Sequence, residues 1–102
     1  MARKEKIIPP IHPGETLLED FLKPLGLTPH RLSMELRVPV TRVNDIVRGR
    51  RAVTAETALR LARYFGTTPQ FWMNLQSNYE IELAQDEHGS EISERVRPHK
   101  AA

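Results

Sequence analysis

The sequence of this 102-residue chain predicts an all-α domain built from five short helices. Three observations lead to this prediction. Apolar residues recur at intervals of three and four residues, as they do on one face of an α-helix. Most of these segments begin at a threonine or proline or end at a glycine, which are typical helix start and stop residues. No segment alternates apolar and polar residues as a β-strand does.

The sequence of the N-terminal part of the chain predicts an extended arm followed by a first helix. Three prolines within residues 1–13 forbid a continuous helix there, so we expect this arm to be extended. Gly14 then begins a helical pattern, and Pro24 and Gly26 should end or distort that helix. Its apolar face comprises Leu17, Leu18, Phe21, Leu22 and Leu25.

The next two helices are expected to lie on either side of a tight turn. The second helix should begin at Thr28, and the third should begin at Pro39 and run to about Arg48. Arg37 and Val38 form the turn. The residues of the third helix that should face inward are Val43, Ile46 and Val47.

Two more helices complete the predicted domain. Thr54 should cap the fourth helix, which Gly66 stops, and Thr68 should cap the fifth. We expect the fifth helix to fray near residues 86–89. The sequence therefore predicts a domain over residues 14–86 and a weakly structured tail over residues 87–102. The residues of the fifth helix that should face inward are Phe71, Trp72, Leu75, Tyr79 and Leu83.

Charge is distributed unevenly along the chain although the net charge is only +2. Residues 37–63 contain seven arginines against two acidic residues, a local charge of +5. Residues 74–94 contain six acidic residues and no lysine or arginine. This pattern indicates a surface that binds a polyanion, next to an acidic flank. On charge alone, two solvated helix faces would explain it equally well.

The third helix presents side chains of the types that read base edges in DNA. Arginine suits guanine, asparagine suits adenine, aspartate accepts from cytosine, and threonine or valine can contact a thymine methyl. The base-reading candidates are Val40, Thr41, Arg42, Asn44 and Asp45. The candidates for contacts with backbone phosphates are Thr28, His30, Arg31, Arg48, Arg50, Arg51 and Thr54. The competing interpretation is the solvated face that every amphipathic helix possesses.

The fifth helix also suggests a dimer. A fifth helix with a surplus apolar stripe often forms an interface between two copies, and two copies are needed to read two half-sites. The predicted interface residues are Trp72, Leu75, Tyr79 and Leu83. Ordinary core packing is the alternative, and it is preferred for Phe65 and Phe71.

The sequence gives little support for catalysis, a metal or a cofactor. The four histidines do not show the spacing of a helical metal site, and no serine lies in a nucleophile motif. We therefore expect no catalytic residue, no metal ligand and no cofactor. There is no cysteine and no apolar run of the length that a membrane span needs, so we expect a cytoplasmic protein.

Three stretches of the chain resemble the HigA-type antitoxins of bacterial toxin–antitoxin systems, within the wider Xre/Cro-like helix-turn-helix family. The stretches are HPGETLLEDFLKPLGL, RVPVTRVNDIVRGRRAVTAETALRLARYFGT and TPQFWMNLQSNYE, and they cover residues 12 to about 80. The resemblance implies a lambda-repressor-like DNA-binding fold, a homodimer, and binding of double-stranded DNA at a palindromic operator in the chain's own promoter. It also implies a cognate toxin, a RelE-like ribonuclease that the antitoxin neutralises.

Two alternatives to a DNA-binding antitoxin remain at this point. One is a stand-alone Xre-like transcriptional regulator without a toxin, and the other is a protein-interaction module that blocks a partner enzyme. The turn also departs from the wider family. Arg37 stands where glycine is common, and Pro39 stands where serine or threonine is common. A positive φ at Arg37 would cost about 1 kcal/mol.

Overall fold

The computed structural model of the chain describes residues 8–100, which contain five helices and no β-strand. The all-α, five-helix fold predicted from the sequence is confirmed. The helices are α1 (residues 13–25), α2 (Pro29–Leu36), α3 (Val40–Val47), α4 (Ala55–Phe65) and α5 (Pro69–Arg95).

The middle of α1 is wound more widely than an α-helix. Pro24 has no N–H, so it cannot bond to the carbonyl four residues earlier. The N–H of Lys23 instead bonds to the carbonyl of Leu18, five residues earlier, as in a π-helix. Gly26, with a φ of 67°, ends the helix, so both residues expected to end or distort it do so. The successive sections of α1 are Pro13–Thr16 (α), Leu17–Leu22 (π) and Lys23–Leu25 (α).

Three threonines cap the helices that the sequence assigned to them. The hydroxyls of Thr28, Thr54 and Thr68 each accept a hydrogen bond from the N–H three residues further on, at 3.0, 3.4 and 3.1 Å. Pro29 and Pro69 follow two of these caps, at the first helical position. The predicted starts of α2, α4 and α5 are therefore confirmed.

The core is formed by aliphatic side chains around one indole ring. Trp72 is fully buried, and its indole N–H donates to the hydroxyl of Thr67 at 2.7 Å. The ring of Phe21 lies 5.0 Å from that of Trp72 and 4.9 Å from that of Phe65, between ring centroids. The other buried apolar side chains are Leu17, Leu22, Leu32, Leu36, Val43, Ile46, Val53, Ala58, Leu61 and Ala62.

The backbones of α1 and α3 approach each other closely at Gly14. A Cβ atom built on Gly14 would lie 1.7 Å from the carbonyl oxygen of Ile46 and 3.0 Å from the Cα of Val47. Only glycine permits this approach, because it has no Cβ. The contact fixes the position of the buried side of α3, and therefore the direction in which its other side points.

Two predictions about the aromatic face of α5 are wrong. Phe71 was expected to face inward, but its side chain is 37% exposed. Trp72 was expected at a dimer interface, but it is 0% exposed within a single chain and offers no surface to a partner. The two residues are adjacent and therefore point about 100° apart on a helix, so only one of them can be central to the core.

The prediction that α5 frays near residues 86–89 is also wrong, because the helix continues to Arg95. Residues 81–95 are rich in good helix formers, and a single glycine, Gly89, costs only about 1 kcal/mol. The non-helical tail accordingly begins at Val96 and not at residue 87. At the other end, residues 8–12 are non-helical and α1 begins at Pro13. The remainder of the predicted arm, residues 1–7, lies outside the described residues.

Candidate nucleic-acid interface

Helices α2 and α3 are joined by a turn of three residues, 37–39. The N–H of Val38 bonds to the carbonyl of Ser33 at 3.1 Å, which closes the end of α2. Arg37 has a φ of 62°, the single positive φ among the described non-glycine residues. Arg37 therefore adopts the left-handed conformation for which a non-glycine residue is expected to cost about 1 kcal/mol. Pro39 precedes α3 without a side-chain capping bond.

One side of α3 is buried and the other carries the predicted base-reading residues. Val43 and Ile46 are each 2% exposed, which fixes the orientation of the helix. Thr41, Asn44 and Asp45 lie at positions i, i+3 and i+4, so they share one face. Thr41 is exposed, and Val40, Arg42, Asn44 and Asp45 are partly exposed. Thus α3 brings its polar candidates together on an outward surface.

Arg42 is held by an ion-pair network that reaches α4 and the end of α2. Its guanidinium lies 2.8 Å from a carboxylate oxygen of Glu56, at the start of α4. Arg60, one turn along α4, donates to the other oxygen of Glu56 at 2.8 Å and to the carbonyl of Leu36 at 2.8 Å. Hydrogen bonds from Arg60 and then Arg42 hold the pKa of Glu56 below its usual value. The network therefore links α3 and α4 to the end of α2 and orients Arg42.

Part of this network has a signal in the sequence. Glu56 and Arg60 are four residues apart, the spacing of an ion pair along a helix. The pairing of Arg42 with Glu56 spans fourteen residues and depends on how α3 packs against α4. Sequence spacing alone could not have identified it.

The segment after α3 places three arginines beside the end of the helix. Arg48, Arg50 and Arg51 are all exposed. The N–H groups of Arg50 and Arg51 bond to the carbonyl of Asp45 at 2.7 and 3.2 Å, which folds the chain back onto α3. The carboxylate of Asp45 lies 3.9 Å from the guanidinium of Arg51, so this base-reading candidate also has a basic neighbour.

His12 packs against the segment that carries Arg48, Arg50 and Arg51, a role that was not predicted from the sequence. Its Nδ1 accepts a hydrogen bond from the N–H of Gly14 at 2.9 Å and so caps α1. Its ring contacts that of Tyr79 edge-on, with centroids 4.9 Å apart, and a Cβ on Gly49 would lie 3.8 Å from it. Burial lowers the pKa of His12, and a hydrogen bond with the backbone of Arg51 partly offsets that effect. The histidine before Pro13 could have been identified as a cap.

The other phosphate-binding candidates lie at helix N-termini. Thr28 and Thr54 are exposed, and each hydroxyl already accepts a bond from its own helix. His30 and Arg31 are exposed in the first turn of α2. Arg31 pairs with Glu35 at 2.9 Å, one turn further along. The backbone N–H of Arg31 donates to the hydroxyl of Thr28 at 3.0 Å, so the cap already occupies this N–H group.

Among the predicted dimer residues, three retain some exposed surface. Leu75, Tyr79 and Leu83 are each partly exposed along α5, whereas Trp72 is enclosed. Within residues 8–100 no three histidine or carboxylate side chains group so as to hold a metal ion. No helix in this part of the chain has both the length and the apolar character needed to cross a membrane.

Comparison with known sequences identifies a family for this domain. A family model described as helix-turn-helix matches residues 18–72, which include α2, the turn and α3. Virulence-associated protein I of Dichelobacter nodosus is 49% identical over 83 residues, which are 81% of this chain and 77% of that protein.

Solved structures give the same fold. Antitoxin HigA of Pseudomonas aeruginosa, solved with the higBA promoter, has a TM-score of 0.87 and 45% identity and covers 89% of this chain and 99% of its own. An addiction module antidote protein of the HigA family from Coxiella burnetii has a TM-score of 0.86 and 44% identity, over 90% of this chain and all of its own. The resemblance to HigA-type antitoxins is confirmed. Helix-turn-helix antitoxins are DNA-binding proteins and not enzymes, as expected from the sequence.

Proposed function

The chain belongs to the helix-turn-helix family, and from that premise we propose that it is a HigA-like antitoxin that binds operator DNA and represses its own operon. The observation that carries this proposal is the outward face of α3 together with the arginines that follow it. A helix whose one side is anchored in the core, and whose other side is polar and flanked by cations, suits insertion into the major groove.

In this proposal the exposed residues divide into two groups. Side chains on α3 contact base edges and so select the sequence, and the base-reading set is Val40, Thr41, Arg42, Asn44 and Asp45. Side chains around the helix ends contact phosphates and fix the position of the domain on DNA. This second set comprises Thr28, His30, Arg31, Arg48, Arg50, Arg51 and Thr54. The ion pair with Glu56 orients Arg42 before DNA arrives.

A homodimer would place two copies of α3 on a palindromic operator. Adjacent major-groove half-sites are about 34–36 Å apart, so two copies of α3 must be held at that separation. The partly exposed α5 residues Leu75, Tyr79 and Leu83 remain the proposed contact surface, without the buried Trp72.

The proposal also includes a toxin partner. The solved relatives are described as an antitoxin and as an addiction module antidote, which supports a role in neutralising a toxin encoded beside this gene. We propose a ribonuclease of the RelE-like kind as that toxin. Co-purification with the product of the neighbouring gene distinguishes this function from a stand-alone regulator, which would purify alone.

The DNA-binding half is tested by fluorescence anisotropy with the upstream DNA of the gene. We expect log K to fall linearly with log salt, with a slope of about 0.9 per neutralised phosphate. Arg50→Ala should weaken binding to all sequences alike and reduce the slope by about 1. Arg95→Ala is the matched control, because it removes one exposed arginine at the far end of α5 and should change nothing. An unchanged slope in Arg50→Ala would contradict the assignment of Arg50 to a phosphate.

A further inference from the structure

The C-terminal half of α5 extends beyond the core that its first half completes. The helix has 27 residues and is therefore about 40 Å long. Trp72 and Gln76 are buried near its start, whereas every residue from 84 to 95 except the partly buried Gly89 is exposed. Most helical stability in proteins comes from packing an apolar face. The extension thus presents three exposed turns of preformed helix.

A stripe of two isoleucines, an alanine and a histidine runs along the side of α5 that faces away from the core. Ile81, Ala84, His88 and Ile92 recur at intervals of three and four residues, so they share one face; we call them the outer stripe. Ile81 and Ile92 are 55% and 52% exposed. Tyr79, which contacts His12, is two residues from Ile81 and therefore points to nearly the opposite side.

Acidic side chains border the outer stripe. Their charge indicates whether a second copy of this chain or a different protein binds there. On the helix, Glu80, Glu87 and Glu91 lie along one side of the outer stripe and Glu82 lies on the other, while Arg95 continues the line of the stripe. Stripe-to-stripe pairing of two copies would bring these acidic borders together, and like charges at that distance repel. A partner with basic residues around an apolar patch would gain both attraction and burial. The charge therefore favours a basic protein over a second copy of this chain.

We propose that the outer stripe is the docking surface for a basic protein partner, which seats apolar side chains between Ile81 and Ile92 and basic side chains on the acidic borders. This inference rests on the proposed antitoxin function, in which that partner is the toxin. The acidic end of α5 and the arginines around α3 carry opposite charge and belong to different helices, so the partner and DNA would contact different residues.

The test uses isothermal titration calorimetry of the full-length chain with the purified toxin encoded beside it. The double variant Ile81→Ser/Ile92→Ser removes the ends of the stripe. Leu59→Ser is the matched control, because Leu59 is 58% exposed but lies on α4. We expect the double variant to bind at least tenfold more weakly and the control to bind as wild type does. Both variants should keep the wild-type melting temperature and operator affinity.

A second pair of substitutions tests the acidic border. Glu87→Gln/Glu91→Gln should weaken toxin binding several-fold at low salt, and the difference should shrink as salt screens the charges. If wild type and this variant bound the toxin equally well at low salt, the inference that the stripe binds a basic partner would be overturned.

The remaining outcomes separate this inference from the proposed function. If wild type binds the toxin and Ile81→Ser/Ile92→Ser binds it equally well, the docking surface is wrong while the antitoxin function stands. If wild type binds the operator but not the toxin, the antitoxin function fails, and this inference fails with it. If the double variant is monomeric in sedimentation equilibrium where wild type is dimeric, the stripe is a contact between copies and the inference is overturned.

Discussion

Replacing Gly14 by alanine is expected to destabilise the domain and displace α3. The new Cβ would lie 1.7 Å from the carbonyl oxygen of Ile46, whereas real Cβ atoms stay at least 3.0 Å from such neighbours. The two backbones must therefore separate by about 1.3 Å. Overpacking typically costs 1–3 kcal/mol, and because the obstacle is backbone we expect about 3 kcal/mol. For a domain of this size that lowers the melting temperature by about 12 °C.

The matched control is Gly89→Ala, the same chemical change inside an exposed helix. A Cβ on Gly89 would lie 3.9 Å from the Cβ of Gln85, an ordinary contact. Alanine is favoured over glycine in a helix interior by about 1 kcal/mol, so this variant should melt about 4 °C higher than wild type. Thermal unfolding followed by circular dichroism measures both shifts. If Gly14→Ala melted at or above the wild-type temperature, the close contact of α1 with α3 would be refuted.

Two further substitutions test the turn at Arg37 and the cap at His12. Arg37→Gly should raise the free energy of unfolding in urea by about 1 kcal/mol, because glycine adopts a φ of 62° without strain; a lower value would contradict the strained turn. Burial lowers the pKa of His12, so the folded state binds a proton less readily than the unfolded chain, and stability should fall as pH drops through about 6.5. Asparagine can also cap the helix but does not titrate in this range. The free energy of unfolding of His12→Asn should therefore change less than that of wild type between about pH 7.5 and 5.5. An equal change in both proteins would exclude His12 as the source of the pH dependence.

Much of the fold could be predicted from local sequence. The caps at Thr28, Thr54 and Thr68 depend on side chains that bond three residues ahead, so their signal is contained in adjacent residues. The inward face of α3 follows from the spacing of Val43 and Ile46 in the same way.

The features that could not be predicted depend on contacts between helices. The burial of Trp72 in place of Phe71 depends on the angle at which α5 meets Phe21 and Phe65, which spacing within α5 does not specify. The length of α5 beyond residue 89 was missed because a glycine and the loss of core residues resembled a helix end. The burial of Trp72 and the full length of α5 could therefore be established only from the structure.

In the candidate site, too, some features follow from local sequence and others depend on contacts between helices. The outward polar residues of α3 were identified from the sequence because amphipathicity alone orients a helix. The partners that hold them were not, since Arg42 meets Glu56 and His12 meets Arg51 only after distant helices have packed. Local pattern thus identifies the residues of the surface, and tertiary packing determines how they are held.

The proposal that α3 reads DNA sequence is tested by measuring the affinity of Asn44→Ala for a set of single-base variants of the operator. We expect the substitution to remove discrimination at one base pair in each half-site, by about 1–3 kcal/mol, and to leave preferences at the other positions unchanged. A uniform loss of affinity across all variants would assign Asn44 to the phosphate backbone. Unchanged preference at every position would contradict the claim that this face of α3 contacts the bases.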